Sequence, residues 1–250
     1  MSGHSKWASI KHKKGAADAK RGKVFTKIIR EMTVAARTGG GDPATNPRLR
    51  LAIEKAKAAN MPKDNISKAV QRGTGELPGV SYEEVSYEAY APGGVAMVIE
   101  TLTDNRNRTI AEVRNILTKK GGNMAGSGAT AWQFHKKGYI LVDKAGVEEE
   151  KLMDVALEAG AEDLKAEDET SFEITTDPKI FDQVRKALER ASIKISSSEL
   201  TRLPASTVRV QDESAAKQIL SLVEALDEHD DVQHVYANFD IPDQLLTQLA

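Results

Sequence analysis

The 250-residue chain is 40% hydrophobic, 5% aromatic and free of cysteine. That composition excludes disulfides, thiolate nucleophiles and cysteine-based zinc sites, and predicts cores of Ala, Val, Ile and Leu. Its net charge of −2 conceals an asymmetry: residues 1–75 carry 17 Lys and Arg against 5 Asp and Glu, and the remainder carries 18 against 32. A +12 module beside a −14 body points to a surface for polyanions, with an electrostatic embrace between the two halves as the alternative. No stretch approaches the roughly 18 apolar residues of a membrane span, and no apolar signal core follows the N-terminus, so a cytoplasmic protein is expected.

The stretch from His4 to Phe25 has seven Lys and Arg, two glycines and no apolar stripe over its first part, which predicts a flexible N-terminal arm. From Ala19 to Thr38 the pattern turns helical, with Val24, Phe25, Ile28, Ile29, Met32, Ala35 and Ala36 on one face. "TGGGDP" ends that helix. A second helix is expected from Pro47 to Asn60 with Asn46 as N-cap, and a third from Pro62 to Gly73, giving a small bundle around Leu49, Ile53, Ile66 and Val70. After the linker "TGELPGV", "VSYEAYA" and "VAMVIETL" flank "PGG" as a hairpin, and Asp104 or Asn105 caps a helix. "GGNMAGSGA" reads as a flexible connection into a strand "TAWQFH".

The segments from "GYILVD" to "KISSSEL" spell β-α-β-β-α-β, the order of a ferredoxin-like unit. "STVRVQ", a helix over 213–227 and "VQHVYANFD" add a β-α-β that would complete a second such unit with residues 95–135. The expected fold is therefore α+β: an N-terminal basic three-helix domain over residues 1–75, then two ferredoxin-like α/β domains. The third domain, residues 136–204, is inserted into the second, residues 80–135 plus 205–240.

"GSGATA" matches G-x-G-x-x-A, but a helix precedes it and a strand follows, the reverse of what a dinucleotide site requires. None of His4, His12, His135, His229 and His234 falls in a metal-binding spacing, and "DEHDDVQH" reads as a solvated loop. With no nucleophile elbow or recognisable carboxylate pair, no catalytic residue, cofactor, metal or small-molecule substrate is expected.

Trp7 lies among Lys6, Lys11, Lys13 and Lys14, an aromatic interleaved with cations, as in proteins that stack a base while neutralising phosphates; packing of the arm on the body is the alternative. Lys20, Arg21, Lys23, Lys27 and Arg30 extend the charge along the first helix. These ten residues are the expected nucleic-acid contacts. In "TDNRNRT", Arg106 and Arg108 occupy a helix N-terminus, where the macrodipole disfavours cations. They are either a candidate anion-binding pair or structural partners of Glu100 or Glu112.

"GHSKWA", "KRGKVFTKIIRE", "GGGDPATNPRLR", "YEAYAPGG", "TDNRNRT", "GGN" and "LEAGAEDL", in that order, resemble the YebC family over nearly the whole chain. The resemblance implies a helical N-terminal domain and two α/β domains, and a non-enzymatic, probable transcriptional regulator that binds DNA. Some relatives, including mitochondrial translational activators, act instead at the ribosome on difficult nascent sequences. Starting directly with the motif, the chain is more similar to bacterial cytoplasmic members than to organellar ones. Its implied partner is nucleic acid, either DNA or ribosomal RNA.

Overall fold

The structure, a computed structural model, describes residues 18–167 and 170–249, so the expected flexible arm lies outside the described residues. One compact unit runs up to Ala131 and adds Val210–Ala237 and Ile241 onward; the other is Trp132–Arg209 with Asn238–Asp240.

The first unit begins with three helices: α1 (Asp18–Gly39), α2 (Pro47–Ala58) and α3 (Lys63–Thr74). Met32, Ala35, Ala36, Leu49, Ala52, Ala56, Met61 and Ala69 form their buried core, with Phe25, Ile28, Ile29, Ile53, Ile66 and Val70 packed around it. Asn46 does more than cap α2. Its Oδ1 accepts from Leu49 N at 3.1 Å while its Nδ2 donates to Ala35 O and Gly40 O, both at 2.8 Å, tying the end of α1 to the start of α2. Small residues let α1 and α3 approach closely, since a Cβ on Gly73 would collide with the Thr33 carbonyl and with Ala36 Cβ.

The chain continues through β1 (Glu83–Ala91), β2 (Val95–Thr103), α4 (Arg106–Lys119) and β3 (Asn123–Met124). Pro92–Gly94 turns the β1–β2 hairpin, with Gly93 and Gly94 at φ 77 and 76°, a conformation that a side chain would strain. Next come β4 (Phe134–Asp143), α5 (Glu149–Glu158), β5 (Asp163–Lys165), β6 (Ser171–Thr176), α6 (Phe181–Arg190), β7 (Ile195–Pro204) and β8 (Val208–Arg209). The last elements are α7 (Glu213–Asp227), β9 (Val232–Ala237), β10 (Phe239–Asp240) and α8 (Asp243–Leu249).

In the inserted unit β4–α5–β5–β6–α6–β7 form an antiparallel sheet of order β5-β6-β4-β7, the ferredoxin-like arrangement. The sheet of the first unit has order β3-β1-β2-β9, also antiparallel. In chain order this sheet reads third-first-second-fourth, where the inserted one reads second-third-first-fourth, and it uses different strands from those the sequence suggests. Between β3 and β2 stands β1, the first strand of the hairpin. "STVRVQ" contributes only β8, which pairs in parallel with β10 in a separate two-stranded piece.

"TAWQFH" is also not a strand of that sheet. Ala131–Gln133 is a 3-10 turn, and Phe134 opens β4, which runs unbroken through "KKG". The polar interruption at Lys136 and Lys137 looks like a break in sequence, but Gly138 leaves room for Thr176 Oγ1 and the Phe181 ring, where a Cβ would collide. Among the described residues, no helix is long and apolar enough to cross a membrane.

Candidate nucleic-acid interface

The polar face of α1 is turned toward the acidic end of α7 and the loop that follows. Lys23 Nζ donates to Glu228 O at 3.1 Å and Lys27 Nζ to Asp227 O at 2.5 Å. These carbonyls end α7, where the helix dipole is negative and cations are favoured. Arg30 Nη1 donates to Asp230 O at 2.8 Å, to Leu102 O at 3.2 Å and to Asp231 Oδ1 at 2.5 Å, and its guanidinium lies 5.3 Å from the centre of the Tyr82 ring. Further along, Arg37 donates to Ser81 Oγ at 2.6 Å and to the Tyr82 carbonyl, while Arg48 bridges Glu31 and Glu84. Part of the basic charge thus serves the embrace inside the unit.

Asp231 is the hub of this junction. Its side chain is 3% exposed and accepts from Arg30 on α1, from Arg108 Nη2 (2.8 Å) and Thr109 Oγ1 (2.6 Å) on α4, and from Thr103 Oγ1 (3.3 Å) at the end of β2. Burial alone would raise its pKa, but the hydrogen bonds from Thr109, Arg108 and Arg30 prevail and hold it at about 2.

"TDNRNRT" forms the first turn of α4, and Asn105 caps it by accepting from Arg108 N at 3.1 Å. The dipole penalty on Arg108 is compensated by Asp104 and Asp231, both at 2.8 Å, with Glu112 more distant at 4.0 Å. Arg106 has no ion-pair partner among the described residues and is exposed. The two arginines therefore differ: one holds the Asp231 hub, and the other faces solvent.

Around this hub lies an open cleft of about 570 Å³, lined by Lys23, Arg30 and Arg108 but also by Glu112, Glu228, Asp230 and Asp231, so its walls carry no excess of positive charge. Glu112, His229 and Asp231 each offer a ligand atom within 4.8 Å of the others. All three are already engaged: Asp231 N donates to His229 Nδ1 at 3.1 Å, which leaves Nε2 to donate to Glu112 at 2.9 Å, and two arginines neutralise the Asp231 carboxylate. "DEHDDVQH", read from sequence as a solvated loop, is instead the anchor between α1 and α4.

The Gly-rich connection after β3 is also anchored. The Glu88 carboxylate accepts from the backbone N–H groups of Gly128 (2.6 Å), Thr130 (2.6 Å) and Ala131 (2.7 Å), and from Thr130 Oγ1 at 3.2 Å. Burial would raise the Glu88 pKa, but these four donors lower it. The glycines of "GSGATA" wrap a side chain of the protein itself.

Of the ten expected nucleic-acid contacts, Lys6, Trp7, Lys11, Lys13 and Lys14 lie outside the described residues. Lys20 and Arg21 stand in the first turn of α1, and Lys23, Lys27 and Arg30 take the intramolecular partners given above. Sequence reasoning missed Asp231, whose only signal was its place in an acidic run facing a basic helix.

Comparison with known proteins agrees with this architecture. Residues 5–76 match the TACO1/YebC protein N-terminal domain, and residues 82–239 match the TACO1/YebC second and third domain. The chain belongs to the TACO1/YebC family. Family relatives include a probable transcriptional regulatory protein of Desulfotalea psychrophila, 56% identical over all of both chains. Another probable transcriptional regulatory protein, from Geobacter sulfurreducens, is 57% identical over 249 residues, again covering 100% of each. The crystal structure of a conserved hypothetical protein from Aquifex aeolicus superposes with a TM-score of 0.80 at 50% identity, covering 90% of this chain and 93% of that one.

Proposed function

We propose that this member of the TACO1/YebC family is a non-enzymatic, cytoplasmic regulator of gene expression that binds DNA through its basic N-terminal domain. The observation that carries the reading is the segregation of charge, 17 Lys and Arg against 5 acids in residues 1–75. Intramolecular bonds use only some of those cations, leaving an excess for phosphates. The names of the relatives, probable transcriptional regulatory proteins, support it. The contacts assigned to nucleic acid are Lys6, Trp7, Lys11, Lys13, Lys14, Lys20 and Arg21, with Lys23 and Lys27 exchanging carbonyl partners for phosphates on binding, whereas Arg30 keeps its buried ion pair with Asp231. Arg106, exposed at the start of α4, is a further anion contact. Among the described residues no helix-turn-helix reading helix is evident, and the binding we propose is of the backbone type, with little base-specific readout.

Trp7 among lysines favours a second reading, a ribosome-associated translation factor whose arm meets unpaired bases of ribosomal RNA and relieves stalling on difficult nascent sequences. Sedimentation of a cell extract separates the two. Enrichment with chromosomal DNA is the expected outcome, and co-migration with ribosomes after nuclease removal of DNA would give the second reading the lead.

A further inference from the structure

The cations of the three-helix part fall into two classes. Among those whose side chains are described, Lys23, Lys27, Arg30, Arg37, Arg48 and Arg50 all donate to acceptors within the chain. Lys55, Lys57, Lys63, Lys68 and Arg72 are exposed and have no partner among the described residues. All five belong to the last turn of α2 or to α3, within a stretch of residues 55–72 that contains a single acid, Asp64.

The scaffold under them is firm. Ala52, Ala56, Met61 and Ala69 are buried beneath, and Ala59 N and Met61 N donate to Lys55 O and Ala56 O at 3.0 and 2.9 Å, fixing the turn between the helices. On α3, Lys68 and Arg72 are four residues apart, on the side opposite Ile66, Ala69 and Val70, so they share one face. Asp64, one turn before Lys68, offsets one of the five charges, so residues 55–72 keep an excess of four cations, and a polyanion relieves the repulsion among them.

Resting on the DNA-binding reading above, we infer that the exposed cations at the end of α2 and along α3, with Lys68 and Arg72 on one face of α3, form a docking surface for the sugar–phosphate backbone of duplex DNA. Neither helix contains an aromatic residue, so the face offers no platform for unpaired bases and suits a double helix, whose bases are already stacked. The surface lies on helices other than α1, and together with the polar side of α1 it would extend the contact over several phosphates.

The test uses the full chain and a fluorescent 20-base-pair DNA duplex, with a structured RNA hairpin as a second probe. The variant replaces Lys55, Lys57, Lys63, Lys68 and Arg72 by Gln. A control replaces five exposed lysines of the inserted unit, Lys136, Lys151, Lys165, Lys179 and Lys194, also by Gln. The variant is expected to keep the wild-type melting temperature and to bind duplex DNA at least about tenfold more weakly. Its plot of log affinity against log salt should flatten by about 0.9 for each phosphate contact removed, while the control behaves like wild type. Wild-type affinity and slope in the variant would overturn this inference but leave the DNA-binding reading standing. A wild-type chain that does not bind the duplex at all would overturn both. Loss of RNA-hairpin binding with DNA binding intact would assign the face to RNA and overturn the assignment to DNA.

Discussion

Arg30 on α1 and Asp231 ahead of β9 meet at 2.5 Å across a junction where Asp231 is 3% exposed and Arg30 14%. Charges this far from water need each other, and removing one partner from such a pair typically costs about 3–5 kcal/mol. Asp231→Ala strands Arg30, Arg108 and Thr109 together and should lower stability by about 3 kcal/mol in denaturant unfolding at neutral pH. A loss within about 0.5 kcal/mol, the size of an ordinary surface change, would mean that Asp231 is not the hub.

The same carboxylate sets an acid limit. It titrates at about 2 in the folded chain against 3.8 unperturbed, so the folded form is the stronger acid. Its contribution is complete above about pH 4 and drains away as pH falls through the folded pKa. A depression of that size corresponds to about 2.5 kcal/mol. Unfolding midpoints should therefore show wild type well ahead of Asp231→Asn at pH 6, with the gap closing between pH 4 and pH 2. A gap that stays constant over that range would contradict the assignment.

The two arginines of "TDNRNRT" should separate on substitution. Arg108→Gln removes bonds to Asp104 and Asp231 and is expected to lower stability by about 2 kcal/mol, the scale of charge-assisted hydrogen bonds. Arg106→Gln removes no ion pair and relieves a dipole mismatch, so its melting temperature should match wild type. A calorimetric scan of both variants checks this, and equal effects would show that the first turn of α4 acts as one unit.

Glu88 organises residues 128–131 by accepting four hydrogen bonds. In Glu88→Gln an amide NH₂ would replace one carboxylate oxygen and face N–H donors. Leaving buried donors unsatisfied costs about 1–3 kcal/mol. Hydrogen exchange at Gly128, Thr130 and Ala131 should speed up in the variant, while exchange in β2 stays slow. Unchanged exchange at those three amides would show that the loop holds itself.

Local signals were strong enough to read most elements directly from sequence. Asn46 before Pro47, the "PGG" turn and the helix over 213–227 each carry their own chemistry, and the structure has them as read. Strand pairing was harder, because nothing local tells β1 to lie between β3 and β2, or tells "STVRVQ" to stay outside the sheet. Gly138 concealed the length of β4, since its reason for being there is Phe181, more than forty residues away. The Asp231 hub was invisible for the same reason: Arg30, Thr103, Arg108 and Thr109 converge only once the chain has folded. Charge segregation was legible, but which cations remain for a ligand was not, because that depends on the acceptors each one finds.

The central claim is that the basic N-terminal domain holds nucleic acid by its phosphates, and the salt dependence of duplex DNA binding by the full chain tests it most directly. Log affinity should fall linearly with log salt, with a slope of about −0.9 for every phosphate neutralised and a total of several. No measurable affinity at low salt, or an affinity that salt leaves unchanged, would contradict it.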